Sequence, residues 1–301
     1  MMAATNVYDF KGVLQLDEPM SKHTSWRVGG KVDQLYTPSD IDDLSEFLKN
    51  LPSAEPVMFI GLGSNLLVRD GGIRGTVISL KGCLSEITLL EKDVIRASAG
   101  VSCAKLSRFC HRNNLLGGEF FAGIPGLLGG ALAMNAGAFG GETWSVIESV
   151  TTIDMQGNIY VRSPQDYEIA YRYVKRPKDE WFVGADIKLT LGDGEAAAKN
   201  IKALLEKRNQ TQPTGLPSCG SVFKNPPGDF AARLIEACGL KGYKIGDAVV
   251  SEKHANFIIN SGNASASDVE KLMELVQKTV EQKEGVKLQS EVKIVGEFAD
   301  E

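Results

Sequence analysis

Gly61-Leu62-Gly63-Ser64-Asn65-Leu66-Leu67-Val68 follows directly on the apolar run Val57 to Ile60. About sixty residues later comes Gly123-Ile124-Pro125-Gly126-Leu127-Leu128-Gly129-Gly130-Ala131, then Met134-Asn135-Ala136-Gly137-Ala138-Phe139-Gly140. Glycine opens backbone conformations barred to other residues and lets amides approach a ligand with no side chain between. A strand, then glycines, then small polar groups is the shape of a nest for phosphate oxygens. Two such stretches in one chain point to a large ligand with a pyrophosphate in its middle, and so to a dinucleotide. Neither stretch reads GxGxxG, because Leu66 stands where a third glycine would fall, and no GxxxxGK[ST] loop occurs. The competing reading is a pair of tight turns in a strand-rich fold. Gly63-Ser64-Asn65, with a hydroxyl and an amide beside exposed backbone, favours the ligand.

A chain of 301 residues suits two or three packed subdomains. Its 43% hydrophobic and 24% charged content is that of a soluble globular protein, and its net charge of -5 disfavours a general nucleic-acid binder. Every apolar run ends well before a membrane span, and Met1 to Phe10 lacks the pattern of a signal peptide. Five cysteines without a CxxC pair, and three histidines, argue for reduced thiols in the cytoplasm and no metal site. Between Lys199 and Lys253, nine Lys or Arg stand against five Asp or Glu, a basic window suited to a phosphorylated ligand.

Helices are expected from Ser39-Asp40-Ile41-Asp42 to Leu51 in the manner of a capping box, from Ser102 through Cys110, and from Glu195 to Asn209. Two more are expected from Asp229 to Cys238 and from Ser267-x-x-Glu270 to Gly285. Strands are expected at Val57–Ile60, Leu66–Val68, Thr76–Leu80, Val94–Ser98, Val146–Ile153, Ile159–Arg162 and Phe182–Leu191. The mixture predicts an α+β protein, divided into residues 1–82, 83–194 and 195–301, the last boundary falling at the Gly192–Gly194 turn.

The loop from Thr211 to Pro226 is long and irregular, with Ser218, Cys219 and Ser221 as hydroxyl and thiol candidates and Lys224 and Asn225 beside them. Val286 to Val295 alternates like a strand, so Lys287, Gln289, Glu291 and Lys293 share a face, by default a solvated one. Arg172 sits among Tyr167, Tyr171 and Tyr173, and its planar donor fork suits a carboxylate. His254, without a GxSxG elbow, reads as a turn histidine with a satisfied hydrogen bond.

The motifs GLGSNLLV, GIPGLLGGALAMNAGAFGGE, SCGSVFKNP, GLKGYKIGDAVVSEKHANFIIN and SEVKIVG, in this order, resemble the UDP-N-acetylenolpyruvoylglucosamine reductase (MurB) family over nearly the whole chain. That resemblance implies the FAD-binding fold of the vanillyl-alcohol-oxidase type, with a C-terminal substrate domain. It implies NADPH as electron donor and reduction of the enolpyruvyl ether of a UDP-sugar, without an obligate protein partner. Gly61, Gly63, Ser64, Asn65, Leu66, Gly123, Ile124, Pro125, Gly129, Gly130, Ala131 and Asn135 are then the residues expected to hold FAD. Arg172, Ser221 and Glu291 are the expected catalytic residues, and Glu291 must be protonated to help. Tyr171, Lys207, Lys224, Asn225, Lys241 and Lys253 are the candidates on the substrate side. The stretch from Leu240 to Asn260 is too short for the tyrosine-bearing loop of one subgroup. Gly61 to Gly72 has no histidine, so the flavin is not tethered there as in many oxidases of this fold. A non-catalytic nucleotide-binding module is the rival of another class, and would lack a yellow cofactor.

Overall fold

The computed structural model describes residues 10 to 299, so the expectation for the extreme N-terminus lies outside it. A four-stranded sheet forms first, in the order Val13–Pro19, Lys31–Thr37, Ile73–Ser79, Val57–Ile60. Its first pair is antiparallel and the others parallel. Helix α1 (Ile41–Asn50) packs on it through Leu44, Phe47 and Leu48. Its cap lies one residue later than expected. Asp40, not Ser39, accepts the Asp43 amide at 2.8 Å, because the Asp43 carboxylate is drawn away to Tyr36 Oη at 2.7 Å and the Ser39 amide at 2.9 Å.

An antiparallel five-stranded sheet follows, in the order Ile159–Arg162, Ile147–Asp154, Glu180–Lys188, Val94–Ser98, Ile87–Leu89. Helix α2 (Cys103–Arg112) starts at its expected cap, Ser102. A second helix, α3 (Leu128–Met134), runs through the later glycine stretch, where only strands were expected around α2. Glycine hides it from propensity, but its packing needs the small residues. A Cβ added at Gly129 would come within 3.0 Å of the Ala99 Cβ. Asn135 ends α3 in the left-handed conformation, φ 48°.

The remaining chain builds α4 (Gly194–Thr211), α5 (Ala231–Ala237), a three-stranded antiparallel sheet and α6 (Ala266–Glu284). The α6 cap also moves from its expected place. Ser265 accepts the Asp268 amide while Asp268 accepts the Ser265 amide, a reciprocal box two residues before Ser267. Glu270 is released from that role and pairs with Arg69 at 2.8 Å. Gly285 closes α6 with φ 71°, as expected of a C-terminal glycine.

Of the strand expected over Val286 to Val295, only Lys293–Val295 forms a ladder, and it runs parallel to Leu66–Val68. Upstream, the amide of Glu291 donates to Val222 O at 2.8 Å and Gln277 takes Leu288 O at 3.0 Å, so the backbone is spent on loop and helix instead. The alternation still reports burial, since Leu288 and Val292 are buried. The chain end therefore returns to the strand that follows the first glycine loop. Asp70, just beyond that strand, accepts the Ala266 and Ser267 amides, each at 2.9 Å, and so caps α6 from a distant part of the sequence. Trp26, fully buried, donates to Ile258 O at 2.7 Å and joins the same core as α5 and α6.

Removing the Asp70 carboxylate strips two helix amides of their acceptor and α6 of a favourable charge at its positive end. Asp70→Ala should therefore lower stability by about 1–2 kcal/mol in urea unfolding. An unchanged midpoint would show that this long-range cap contributes nothing.

Candidate active site

The two glycine stretches form opposing walls. A Cβ on Gly126 would lie 3.4 Å from Ser64 Oγ, and one on Gly61 would lie 3.3 Å from Leu127. Between them is a cavity of about 470 Å³, lined also by Phe59, Trp181, Arg176, Glu291 and Lys293. A second cavity of about 260 Å³ shares Ser64, Asn65, Ile124 and Glu291 and adds Gly123, Pro125, Arg172, Arg208, Gln212 and Ser221. The first has the size of a cofactor site.

Gly63 needs its glycine, because φ is +59° and a Cβ would strike His23 O. The Leu62 amide, the Ser64 amide and the Ser64 hydroxyl have no hydrogen-bond partner among the described residues. They are donors held in readiness beside open space. The second stretch behaves differently from a nest. The amides of Leu128 and Gly129 already donate to Val101 O at 2.8 Å and Ala99 O at 2.9 Å. Its contribution is shape: a Cβ on Gly130 would meet no protein atom within 4 Å, so that position opens onto vacant space. Gly61, Gly63, Ser64, Asn65, Leu66, Ile124, Gly129, Gly130 and Ala131 all line the first cavity.

Asn135 is a correction. It is fully buried, its side chain donates to Ala170 O at 3.2 Å and accepts the Trp144 amide at 3.1 Å, and it lines neither cavity. Its carbonyl does bear on the site, accepting Arg172 Nη1 at 3.2 Å.

Arg172 occupies the two-residue loop between the strands Glu168–Ala170 and Tyr173–Lys175, in the left-handed region with φ 53°. Its Nε donates to Glu291 Oε1 at 3.0 Å and its Nη2 to Gly137 O at 2.8 Å. A guanidinium carries five N–H donors, so two stay free for a ligand. The default reading of Glu291 as a solvated edge is overturned, since its side chain is 12% exposed. Burial pushes its carboxyl above the usual 4.5, although the Arg172 and Lys224 charges pull the other way. Asn65 fixes the segment by donating to Glu291 O at 2.9 Å.

Ser221 lines the second cavity, and its hydroxyl has no hydrogen-bond partner among the described residues. The neighbouring backbone is held by Asn256, a residue the sequence reading passed over. Its side chain accepts the Phe223 amide at 3.0 Å and donates to Phe223 O at 2.8 Å.

The substrate-side lysines need correction. Lys241 pairs with Glu236 at 2.6 Å, Lys253 donates to Asn209 O, and Lys207 is exposed on α4. One residue along, Arg208 lines the second cavity with Gln212, to which its Nε donates at 2.9 Å. A single residue turns a helix by about 100°, which separates the outward lysine from the inward arginine. Asn225 is occupied as a cap, accepting the Ala231 amide at 3.1 Å. Tyr171 is 49% exposed and stacks under the Arg172 guanidinium at 5.1 Å, outside both cavities. Lys224 reaches the site only through its charge on Glu291. His254 is corrected as well: its Nδ1 is buried with no hydrogen-bond partner among the described residues, and burial lowers its pKa. No group of three or more His, Cys, Asp or Glu among the described residues is arranged to hold a metal, and none of their helices is long and apolar enough to cross a membrane.

A carboxyl whose pKa rises on folding makes the native state hold a proton that the unfolded chain has lost. Stability attributable to Glu291 is therefore greatest below its unfolded value and declines as pH rises through the folded one. The melting temperature of Glu291→Gln should gain on that of the parent as pH climbs from 4.5 to neutrality. A pH-independent difference would contradict the raised carboxyl.

The comparisons with known proteins agree with this arrangement. An FAD binding domain model matches residues 32–162, and the model of the UDP-N-acetylenolpyruvoylglucosamine reductase C-terminal domain matches residues 212–295. The UDP-N-acetylenolpyruvoylglucosamine reductase of Legionella pneumophila (strain Corby) is 54% identical over 98% of this chain and 96% of its own length. That of Alkalilimnicola ehrlichii is 56% identical over 95% and 96%. The crystal structure of the Thermus caldophilus reductase superposes with a TM-score of 0.81 at 32% identity, covering 94% of this chain and 98% of that one. Free amides facing small-residue walls, a C-terminal unit that carries Glu291 back to them, and identity above one half along nearly the full length lead to one conclusion: the chain belongs to the UDP-N-acetylenolpyruvoylglucosamine reductase family, FAD-dependent oxidoreductases of the vanillyl-alcohol-oxidase type of fold with a C-terminal α+β domain.

Proposed function

We propose that the protein reduces the enolpyruvyl ether of UDP-N-acetylglucosamine to UDP-N-acetylmuramate in the cytoplasm, with NADPH as electron source. Residues 1–82 and 83–194 would enclose non-covalent FAD, and residues 195–301 would cover the sugar nucleotide. The observation that carries the reading is the meeting of Arg172 with a largely buried Glu291 on the wall of a cavity that Ser221 also lines. The FAD reading is supported by the open space at Gly130 and by the unpartnered donors of Leu62 and Ser64.

FAD, when bound, supplies the hydride that the terminal vinyl carbon of the substrate accepts. The residues of the chain then manage charge and a proton. Addition at that carbon leaves negative charge on C2 and on the adjoining carboxylate. The two free N–H groups of Arg172 would bind that carboxylate most tightly as its charge grows, which is how preorganised donors accelerate a reaction. A protonated Glu291 adds a neutral donor where a carboxylate would repel. Ser221 gives its proton to C2, and the charge of Lys224 favours the alkoxide left behind. Arg208 and Gln212 face the same cavity and suit the substrate diphosphate. They supply the grip that a tyrosine loop would give, for which the hairpin between Leu240 and Asn260 leaves no insertion.

Stopped-flow separation of the half-reactions tests this. With Ser221→Ala, flavin bleaching by NADPH should be nearly intact, while reoxidation by the enolpyruvyl sugar nucleotide should slow by about 100- to 10,000-fold. Equal loss in both halves would remove Ser221 as proton donor. Gly130→Leu projects a side chain into the cavity without meeting protein, so the fold should persist while FAD binds about 10- to 100-fold more weakly. Undiminished flavin affinity in that variant would move the cofactor elsewhere.

A further inference from the structure

The segment carrying Ser221 is held more firmly after that residue than before it. Upstream, the Cys219 thiol reaches Gly63 O and Leu66 O, both at 3.5 Å. Between the two lies Gly220, with φ +72° and open space where a Cβ would stand. Neither the Gly220 amide nor the Ser221 amide has a hydrogen-bond partner among the described residues. Downstream, Val222 and Phe223 are 0% and 1% exposed. Val222 O accepts the Glu291 amide at 2.8 Å and the Lys224 amide donates to Gln289 O at 2.9 Å, which pairs one edge of this extended piece with the C-terminal segment. Successive residues of an extended chain turn their peptide groups to opposite edges, so those of Phe223 face the other way.

There they meet Asn256, 3% exposed, in the turn before the strand Ile258–Asn260. Its Oδ1 accepts the Phe223 amide at 3.0 Å, its Nδ2 donates to Phe223 O at 2.8 Å, and its own carbonyl takes the Val222 amide at 2.9 Å. The side chain thus replaces one residue of a neighbouring strand, offering an acceptor and a donor to a single partner. A carboxamide carries both groups in fixed relation, whereas an ionised carboxylate only accepts. Without it a buried N–H and a buried C=O lose their partners together, a cost that drives the backbone to turn toward others. Ser221, two residues away, would move with it. Glu291 has anchors of its own, since Asn65 donates to Glu291 O at 2.9 Å and Lys293–Val295 runs in the ladder with Leu66–Val68.

We propose that Asn256 is the positioning residue of the Ser221 hydroxyl, fixing it relative to Arg172 and Glu291 so that its proton reaches the substrate carbon. The inference rests on the reading of Ser221 as proton donor. Asn256 itself lines neither cavity, so it acts through the backbone it grips and not by touching FAD or substrate. Displacing a reacting group by about 1 Å costs about 100-fold in rate. Reduction of the flavin by NADPH draws no proton from Ser221 and is indifferent to that displacement.

The test is a double-mutant cycle followed by stopped flow on the FAD-loaded enzyme. Asn256→Ala removes both side-chain hydrogen bonds; Asn256→Ser keeps a hydroxyl able to satisfy one, and so folds where the alanine variant does not. Each should slow reoxidation by the enolpyruvyl sugar nucleotide about 10- to 100-fold, with bleaching by NADPH near the parent rate. Placed on Ser221→Ala, the same substitution should slow reoxidation by no more than about twofold further, because no hydroxyl is left to misplace. An equal proportional loss on both backgrounds would make Asn256 a general structural support and overturn the proposal, as would an unchanged reoxidation rate in the single variant. Reoxidation left intact by Ser221→Ala alone would defeat the proton-donor reading itself, and this proposal with it, before Asn256 is altered.

Discussion

The parallel pairing of Lys293–Val295 with Leu66–Val68 is the constraint on which the site rests. It takes the last strand of the chain and lays it against the strand that leaves the first glycine loop. Asn65 and Glu291 thereby come within one hydrogen bond, 226 residues apart in sequence. Arg69 and Asp70, the next two residues, fasten α6 by an ion pair with Glu270 and by the two capped amides. A cavity wall and the C-terminal unit are thus joined through a few consecutive residues, and any loosening there shifts the carboxyl relative to the cavity.

Given that join, the electrostatics follow from depth. Arg172 is held by two carbonyls, Asn135 O and Gly137 O, in a strained left-handed turn that leaves its fork little freedom. Glu291 meets it from the other side, yet burial still raises its carboxyl. One partner is a guanidinium held by backbone carbonyls; the other is a carboxyl whose charged form burial disfavours. An arrangement in which both were firmly ionised would be a stable salt bridge with nothing left for a substrate.

The sequence was most legible where periodicity and glycine carry local meaning. Val57–Ile60, Leu66–Val68 and Ile159–Arg162 form as their apolar patterns require, and Gly285 ends α6. Capping was off by one or two residues at both Ser39 and Ser267, because acidic side chains choose their amide by tertiary geometry. The residues lost from view were those whose role depends on a turn of helix or on distant backbone. Lys207 and Arg208 are indistinguishable in composition and differ only in direction. Asn135 reads like a ligand residue beside glycines and proves to be the left-handed end of α3. Glu291 had the pattern of a wet strand edge; the distant hairpin bearing Arg172 meets it, and its side chain is largely covered.

Cys219 stands two positions before Ser221, and its thiol points to the carbonyls of Gly63 and Leu66, both at 3.5 Å. Burial pushes that thiol up to about 12. It therefore carries almost no thiolate at physiological pH, and thiolate is the form that oxidants and alkylating agents attack. The cysteine lining the second cavity is therefore chemically mute toward such reagents, a thiol beside the site without an oxidative fuse.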